Sequence, residues 1–172
     1  MIWVGIPLLF VGCTATGPRI DVDPDTDLSH LRTYRIAHER TKAIDPLDRQ
    51  RIEKAIAGNL NAKGYRYSSQ ADFVARYAVK IVRDVPSNIS FGLGIGSGSW
   101  RHGGVSVGTR ITPRYDKVRL KIELFDTETH KTFWSGVEEE DLPRLTTPRS
   151  HERFWNALVY RLLRHFPANN EP

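Results

Sequence analysis

Alternating apolar and polar residues over residues 73–85 predict the strongest strand of the chain. The apolar residues of this stretch fall on one face, whereas Arg76 and Lys80 fall on the other. Shorter runs of the same kind, at residues 20–23 and 31–36, predict two more strands. Strands with one polar face are typical of a sheet that is covered on one side and meets water on the other.

A second pair of strands is predicted around a polar turn at residues 126–130. Before the turn, apolar residues alternate with Lys, Arg and Glu over residues 118–124, and after it residues 131–137 are again strand-like. Because the connection is short, we expect the two strands to pair as an antiparallel hairpin. The second strand contains Phe133 and Trp134, and we expect one or both of these rings to lie in the core.

Helical spacing and capping residues predict two helices. The first begins with Asp45 as the N-cap and Pro46 at the first helical position, and Gly64 ends it. The second begins near Pro148, and Pro167 stops it. Both carry their apolar residues on one face, as helices that pack on a core do.

The predicted order of elements is β-β-α-β-β-β-α, which favours an α+β fold. We expect an antiparallel sheet with two helices packed on one face, plus a Gly-rich hairpin or loop. The 172 residues fit one domain. Residues 1–12 are expected to be a signal peptide shortened at its start, residues 13–19 a lipidated cysteine with its tether, residues 20–167 the domain, and residues 168–172 a tail.

We call residues 90–108 the Gly-rich segment. Apolar residues alternate with glycine or serine in its two arms, and a polar, Gly-rich centre separates the arms. Each glycine costs about 0.5–1 kcal/mol of extra entropy relative to alanine, and a face of glycines has no side chains to pack. We therefore expect this segment to contact a partner by strand pairing, with Trp100, Arg101 and His102 near its tip as the contacts. The alternative is a solvent-exposed loop without a partner.

The chain has a single cysteine, Cys13, so an internal disulfide or a cysteine-rich metal site is excluded. Residues 1–12 are uncharged and apolar; they are shorter than the roughly 20 residues that cross a bilayer but match the apolar core of a signal peptide. Leu9-Phe10-Val11-Gly12-Cys13 resembles the bacterial lipobox, in which the cysteine is lipidated. No Lys or Arg precedes Arg19, so we expect the start to lie upstream. Thr14 and not Asp follows the cysteine, which by resemblance to proteobacterial sorting rules implies the outer membrane. The alternative is a buried strand or helix that contains a cysteine.

Several short pieces of the chain, taken in order, resemble the domain-of-unknown-function 4136 family of bacterial lipoproteins. The matching pieces are Cys13, Asp21-Val22-Asp23, residues 31–34, Lys63-Gly64-Tyr65, residues 71–77, the Gly-rich middle, Asp126-Thr127, residues 131–136 and Phe166-Pro167. The likeness covers nearly the whole chain after Cys13. It implies a lipid anchor at Cys13 and, because the family has no established activity, no catalytic residues.

The motifs of known chemistry are incomplete in this chain. Ser106 lies in a Gly-Val-Ser-Val-Gly run that matches the G-x-S-x-G elbow of serine hydrolases, but no helix signal follows it. The alternating aspartates of residues 21–27 lack the glycine and glutamate of a calcium loop. The six histidines show no metal-ligand spacing, and the acidic run at residues 138–141 is interpreted as a solvent-exposed strand end. We expect neither a metal nor a cofactor.

The net charge of +5 is compatible with several anionic partners and selects none of them. We expect a non-enzymatic binding or assembly module that reaches the membrane through Cys13, at the periplasmic face of the outer membrane. Its partner would be an envelope protein, a lipid or a glycan, and not a nucleic acid. The alternatives are a serine hydrolase-like enzyme that uses Ser106 and a purely structural envelope component; the sequence leaves the oligomeric state open.

Overall fold

A computed structural model describes residues 17–39, 44–86, 91–93, 109–111 and 114–169 of the protein. Its strands and helices are, in chain order, β1 (Arg19–Val22), β2 (Thr33–His38), α1 (Pro46–Ala62), β3 (Arg66–Tyr67), β4 (Phe73–Pro86), β5 (Phe91–Leu93), β6 (Thr109–Ile111), β7 (Arg114–Asp126), β8 (Thr132–Asp141) and α2 (Pro148–Leu163). Among the described residues, neither helix is long and apolar enough to cross a membrane.

Six strands form one mixed sheet in the order β1-β8-β7-β4-β2-β3. The pairs β1–β8, β8–β7 and β7–β4 are antiparallel, and they include the hairpin predicted from the sequence. β2 lies parallel to both β3 and β4, because α1 carries the chain back to the end of the sheet where β2 begins. The α+β fold with mostly antiparallel strands is therefore confirmed, and the parallel placement of β2 adds to it.

Both helices begin where their capping residues predict, and α1 also ends there, whereas α2 ends at Leu163, four residues before the expected stop at Pro167. The Asp45 carboxylate accepts the backbone N–H of Leu47 at 2.7 Å, and Pro46 occupies the first turn of α1. After α1, Gly64 has a φ of 90°, a left-handed conformation that glycine adopts without steric cost. Thr147 and Ser150 form a capping box at the start of α2.

The core lies between the helices and one face of the sheet, and its largest side chains are aromatic. Phe133 and Trp134 are both buried, at 2% and 1% exposure, which confirms the prediction for this strand. Two consecutive residues can both face inward because the register between β7 and β8 shifts beside them. Gly136 makes room for the indole, since a Cβ there would lie 2.6 Å from a ring carbon of Trp134.

The strand register determines which ends of the strands and helices lie at the same end of the sheet. Arg19 at the start of β1 pairs with Val137, and Val22 at its end pairs with Trp134. The start of β1 therefore lies toward the end of β8, and both helices begin at this same end of the sheet. We call it the tether pole, and we call the opposite end, which holds the β7–β8 turn at residues 127–131, the turn pole.

At the tether pole, β4 and β7 extend past their neighbours as a two-stranded ribbon. β8 ends at Asp141, opposite Lys117, whereas β4 and β7 remain paired as far as Pro86 and Arg114. Of the Gly-rich segment, the structure describes β5, which pairs antiparallel with β6. Within the described residues, β5 and β6 form a sheet of two strands that no third strand flanks. The outer edges of such a pair are the kind of edge to which another strand can be added.

Candidate functional site

The residues that the sequence singles out lie outside the described part of the chain. They include Cys13, the expected lipid attachment site, and Ser106. The expected partner contacts also lie outside the described residues; these are Trp100, Arg101 and His102. These assignments stay predictions. The structure does establish where the chain enters the domain and what lies nearby.

The chain enters the domain along the edge of the sheet. Gly17, Arg19, Val137 and Glu139 line one depression, so Gly17 and Arg19 lie beside β8. Cys13 is four residues before Gly17 and lies outside the described residues.

A cavity of about 250 Å³ lies at the tether pole between the first turns of the two helices and the inner face of β4. We call it the helix-start cleft, and its walls come from three separate parts of the chain. The residues that line it are Ile44, Asp45, Asp48, Ile81, Leu142, Pro143, Leu145, His151 and Trp155.

One wall of the helix-start cleft is apolar. Ile81 lies on the inner face of β4, two residues beyond the buried Val79, and is itself only half-buried. Ile44 and Leu142 are half-buried as well and pack against the margin of the core. A concave apolar wall that meets a few polar groups is the usual character of a ligand pocket.

The opposite wall is an ion-paired cluster that joins the two helix starts. His151 Nδ1 lies 2.8 and 3.0 Å from the two carboxylate oxygens of Asp48, and Nε2 lies 3.2 Å from the backbone oxygen of Leu145. Nδ1 of the ring thus faces a carboxylate and Nε2 faces a carbonyl oxygen. Arg51 also donates to Asp48, at 2.7 Å. The Asp48 carboxylate, in a residue that is 7% exposed, is therefore contacted by both the Arg51 guanidinium and the His151 ring.

Trp155 supplies the one neutral donor on the cleft wall that has no partner. The residue is 1% exposed, and its indole Nε1 has no hydrogen-bond acceptor among the described residues. An unpaired buried donor costs about 1–3 kcal/mol. Trp134 Nε1 is unpaired in the same way, but Trp134 lies in the core and does not line the cleft. The Nε1 atom of Trp155 is thus an unpaired donor that is buried and not accessible from the cleft.

These groups suit binding better than catalysis. The imidazole of His151 has no free nitrogen to act as a base, because Asp48 and the Leu145 carbonyl oxygen occupy both. The Asp48 carboxylate is likewise held by Arg51 and His151. The volume is just below the roughly 300 Å³ at which small-molecule pockets begin.

The turn pole has its own polar groups, and these stabilise the backbone. The Asp72 carboxylate accepts the N–H groups of Arg32 and Thr33 at 2.9 and 2.8 Å and the Thr33 hydroxyl at 2.9 Å. Burial alone would raise the pKa of Asp72, but these donors outweigh it and lower that pKa. Asp72 thereby fixes the start of β2 beside β4.

Asp126 does the same for the β7–β8 turn. It is 1% exposed, and it accepts the N–H groups of Glu128 and Thr129 at 2.8 and 3.0 Å. His30 Nε2 lies 3.2 Å from its other oxygen. Burial would raise the pKa of Asp126, but the two backbone donors and His30 lower it overall. The carboxylate is therefore a structural cap, with no free lone pair directed at a ligand-sized cavity.

The acidic run at residues 138–141 is not a uniformly solvent-exposed strand end, and the prediction is wrong for Glu138. Alternation along β8 places Glu138 on the inner face, where it is 4% exposed. Arg161 of α2 donates to Glu138 at 2.7 Å and also contacts Glu140. The buried carboxylate is tolerated because a helix delivers a guanidinium to it.

Acidic and histidine side chains form no metal site within the described ranges of the chain. The alternating aspartates near β1 cap turns: Asp23 accepts the N–H of Asp25 at 3.1 Å, and Asp27 accepts the N–H of Ser29 at 2.8 Å. Their spacing therefore reflects local turn geometry.

Sequence patterns did not single out the helix-start cleft. Asp48 lies in the first turn of α1 and Trp155 is buried on α2, and neither position by itself indicates a binding site. One signal was present: Leu142 and Leu145 are apolar residues in a short connection between a charged strand end and a helix cap. Apolar residues in a polar connection indicate a surface that is either partly buried or used for contacts.

Comparison with protein families gives one match. The model described as Domain of unknown function (DUF4136) matches residues 18–168, nearly the whole described chain. A comparison with curated proteins finds no match.

Several solved structures are similar to this chain at low sequence identity, and the first of them shares its fold. A PDZ domain protein from Parabacteroides distasonis superposes with a TM-score of 0.56 at 14% identity, over 87% of this chain and 35% of that one. This chain thus spans about a third of that protein's length. A variant PelC dodecamer from Paraburkholderia phytofirmans has a TM-score of 0.49 at 18% identity, over 85% and 92% of the two chains. A protein described as a neuraminyllactose-binding hemagglutinin homolog from Helicobacter pylori has a TM-score of 0.38 at 12% identity, over 80% and 81%.

Proposed function

The chain belongs to the DUF4136 family, and from this premise we propose that it is a lipid-anchored, non-enzymatic binding module of the bacterial cell envelope. Cys13 carries the lipid, residues 1–12 are removed, and the domain stands at the periplasmic face of the outer membrane. Its partner is an envelope protein, a lipid or a glycan.

The lipobox-like run that ends at Cys13 supports the anchor, and the position of β1 fits it. The folded domain begins at Arg19, six residues after Cys13. A connection of this length allows the cysteine to reach the bilayer while the domain remains beside it. Two or three acyl chains at Cys13 would hold the protein firmly, since each buried CH₂ contributes about 0.8 kcal/mol.

The observation that carries the choice of binding over catalysis is the helix-start cleft. Apolar side chains form one of its walls, and the Asp48 and His151 side chains on the other are engaged with each other and in joining the two helices. An enzyme site would need a base or nucleophile with a free lone pair facing the cavity. The paired ribbon of β5 and β6 gives a second surface suited to contacts.

The anchor is tested by intact mass spectrometry of the full chain extracted from membranes. We expect the wild-type N-terminus to be Cys13 with attached acyl groups, and the Cys13→Ala variant to lack the lipid and to keep residues 1–12. Fractionation should place only the wild type in the outer membrane. An unmodified, uncleaved wild-type chain would contradict the proposal.

The absence of hydrolase chemistry is tested separately. A fluorophosphonate probe should leave wild-type protein and the Ser106→Ala variant equally unlabelled, because Ser106 lacks the strand-turn-helix context of a hydrolase elbow. Labelling of the wild type that disappears in Ser106→Ala would establish the alternative, a serine hydrolase-like enzyme.

A further inference from the structure

We propose that the open face of the sheet binds a linear acidic glycan, a sugar chain that carries carboxylate groups at intervals. The open face is the side of the sheet that lies opposite the core and the two helices. Along β2 and β4 it carries three cations, Arg35, Arg76 and Lys80, which we call the cationic stripe. This inference deepens the proposed function by naming the chemical class of the partner, and it rests on the domain being a binding module.

The cationic stripe runs diagonally over two neighbouring strands. Arg35 pairs with Val74 in the register of β2 and β4, and Arg76 follows Val74 two residues later on the same face. Strands lie about 4.8 Å apart and rise about 3.3 Å per residue, so Arg35 and Arg76 are about 8 Å apart and Lys80 lies about 13 Å further along β4. All three residues are exposed. The stripe therefore presents positive charge over roughly 20 Å.

Arg76 is held in place without an acid partner. Its guanidinium carbon lies 3.7 Å from the centre of the Phe125 ring, and this stacking orients the guanidinium. Glu123 lies opposite Arg76 in the register of β4 and β7, yet its carboxylate contacts Lys121, at 2.7 Å. In the part of the chain that the structure describes, no acceptor contacts the N–H groups of Arg76. An oriented guanidinium with free donors matches a carboxylate, which it can bind through two parallel hydrogen bonds.

Lys80 and Arg35 also have no ion pair within the described ranges. Lys80 lies directly opposite Arg119, and like charges in this position destabilise a sheet. Glu139, which accepts from Arg119 at 2.7 Å, belongs to β8, one strand further from Lys80. A ligand that brings negative charge to the stripe would therefore relieve a repulsion and meet three unpaired cations.

The distribution of acids on the open face favours a single chain over an anionic membrane. Asp21, Glu139 and Asp141 lie on β1 and β8, the side of the sheet away from the stripe. A flat anionic bilayer would meet both sides of the face, and these acids would repel it. A linear chain can follow the cationic stripe alone.

The place of the stripe within the sheet favours a glycan over a protein. The backbone groups of β4 bind β2 and β7, so a peptide lying across this face would lose water from its own backbone without gaining a partner. A folded protein would need large apolar anchors, and Val82, at 41% exposure, is the one such exposed side chain of the described open face. Sugar hydroxyls can stay in water while the carboxylates contact the cations.

The test measures binding of polygalacturonate, a linear chain of uronic acids, by isothermal titration calorimetry. The full lipidated protein is used in micelles of a non-ionic detergent. Polymethylgalacturonate, the same sugar chain without the charges, is the matched control ligand. We expect polygalacturonate to bind, more weakly as salt is raised, and the methyl ester not to bind. No binding of polygalacturonate, or equal binding of both ligands, would overturn the proposal.

Variants locate the site. Arg76→Gln should weaken binding about ten-fold, because a bidentate contact is lost, and Arg76→Lys should restore only part of the affinity, since an ammonium cannot form that contact. The control is Arg153→Gln, at an exposed position of α2, which changes the net charge by the same amount and should bind like the wild type. Equal weakening by Arg76→Gln and Arg153→Gln contradicts the proposal, because overall charge would then explain the binding.

Phe125→Leu tests the orientation of Arg76 with every charge left in place. Loss of the ring under the guanidinium should weaken binding about three-fold, whereas Phe125→Tyr, which keeps a ring, should bind like the wild type. Circular dichroism checks that both variants fold. Wild-type affinity in folded Phe125→Leu would mean that the stacked Arg76 is not the contact.

The last arm uses the Cys13→Ala full chain, which separates this inference from the anchor. It should bind polygalacturonate like the wild type, and more tightly than it binds polyglutamate or vesicles of phosphatidylethanolamine and phosphatidylglycerol. Equal or tighter binding of polyglutamate or of the vesicles would replace the glycan by an acidic protein segment or a membrane. A lipidated wild type that does not bind polygalacturonate refutes the glycan site and leaves the anchor standing.

Discussion

The two poles of this domain use polar groups in opposite ways. At the turn pole, Asp72 and Asp126 accept backbone N–H groups and fix the starts and turns of strands. At the tether pole, Asp48 and His151 tie two helices together beside a cavity, and Trp155 keeps an unpaired N–H. The comparison teaches that carboxylates fix backbone turns at one pole, whereas at the other pole a carboxylate joins side chains of two helices.

Aromatic packing follows the same division. Tyr65 stacks on Phe166, and Phe73 contacts both Phe133 and Phe166, so the rings close the core toward the turn pole. Toward the tether pole, half-buried aliphatic residues such as Ile81 and Leu142 accompany the buried Val118. Regions with few fully buried contacts open at lower free energy than the rest of a fold, which suits a site that must admit a ligand.

The largest effect is expected from Phe133→Ala. This ring is buried among the aromatic residues near the turn pole, and its removal should lower the free energy of unfolding by about 3–5 kcal/mol. Urea unfolding followed by circular dichroism measures this. A variant as stable as the wild type would mean that the aromatic cluster does not hold the turn pole.

Asp72→Ala should come next, with a loss of about 3 kcal/mol. The substitution leaves the N–H groups of Arg32 and Thr33 without their shared acceptor, and hydrogen bonds to charged groups contribute about 1.5–3 kcal/mol each. Asp27→Ala is the control, because Asp27 caps an exposed turn and should lose less than about 1 kcal/mol. Equal losses in both variants would contradict the special position of Asp72.

Acid should weaken the turn pole through Asp72 and Asp126. Both have pKa values below the ordinary 3.8 in the folded state, so the unfolded chain binds protons more readily. Their stabilising contribution is complete above the unfolded pKa and is lost as the pH falls through the folded pKa. Unfolding free energy should drop between about pH 5 and pH 2, and less in Asp126→Asn. If the unfolding free energy falls with pH equally steeply in the wild type and in Asp126→Asn, Asp126 does not contribute to the loss of stability in acid.

The smallest effect on stability is expected at the tether pole. Leu142→Ala removes a half-buried side chain and should cost about 1 kcal/mol, well below the cost of a buried core residue. The same urea titration measures it. A loss as large as that of Phe133→Ala would erase the difference between the poles.

The local elements of this fold could be predicted because local rules determine them. Asp45 and Pro46 fix the start of α1, Gly64 fixes its end, and alternation assigns the faces of β4 and β7. Such signals act within a few residues, so one sequence suffices to recognise them.

The mixed sheet and the cleft could not be predicted, because both depend on contacts between segments that are far apart in the chain. The parallel pairing of Tyr34 with Phe73 joins segments that are separated by a whole helix. The cleft brings Ile44, Ile81 and Leu142 together from three distant segments. Glu138 was misassigned because its charge suggests water, whereas the partner that permits its burial, Arg161, lies on the last helix. Non-local pairing carries no local sequence signal.

The orientation of the two poles toward the bilayer is tested most directly by hydrogen–deuterium exchange of the full lipidated chain. Amide exchange is measured for the lipidated wild-type chain in detergent-free vesicles and for the Cys13→Ala chain in solution, and the two rates are compared at each segment. The account predicts slower exchange with the bilayer at residues 142–147, in the connection before α2, and unchanged exchange at residues 127–131 of the turn pole. Equal exchange at both segments, or protection confined to the turn pole, would contradict it.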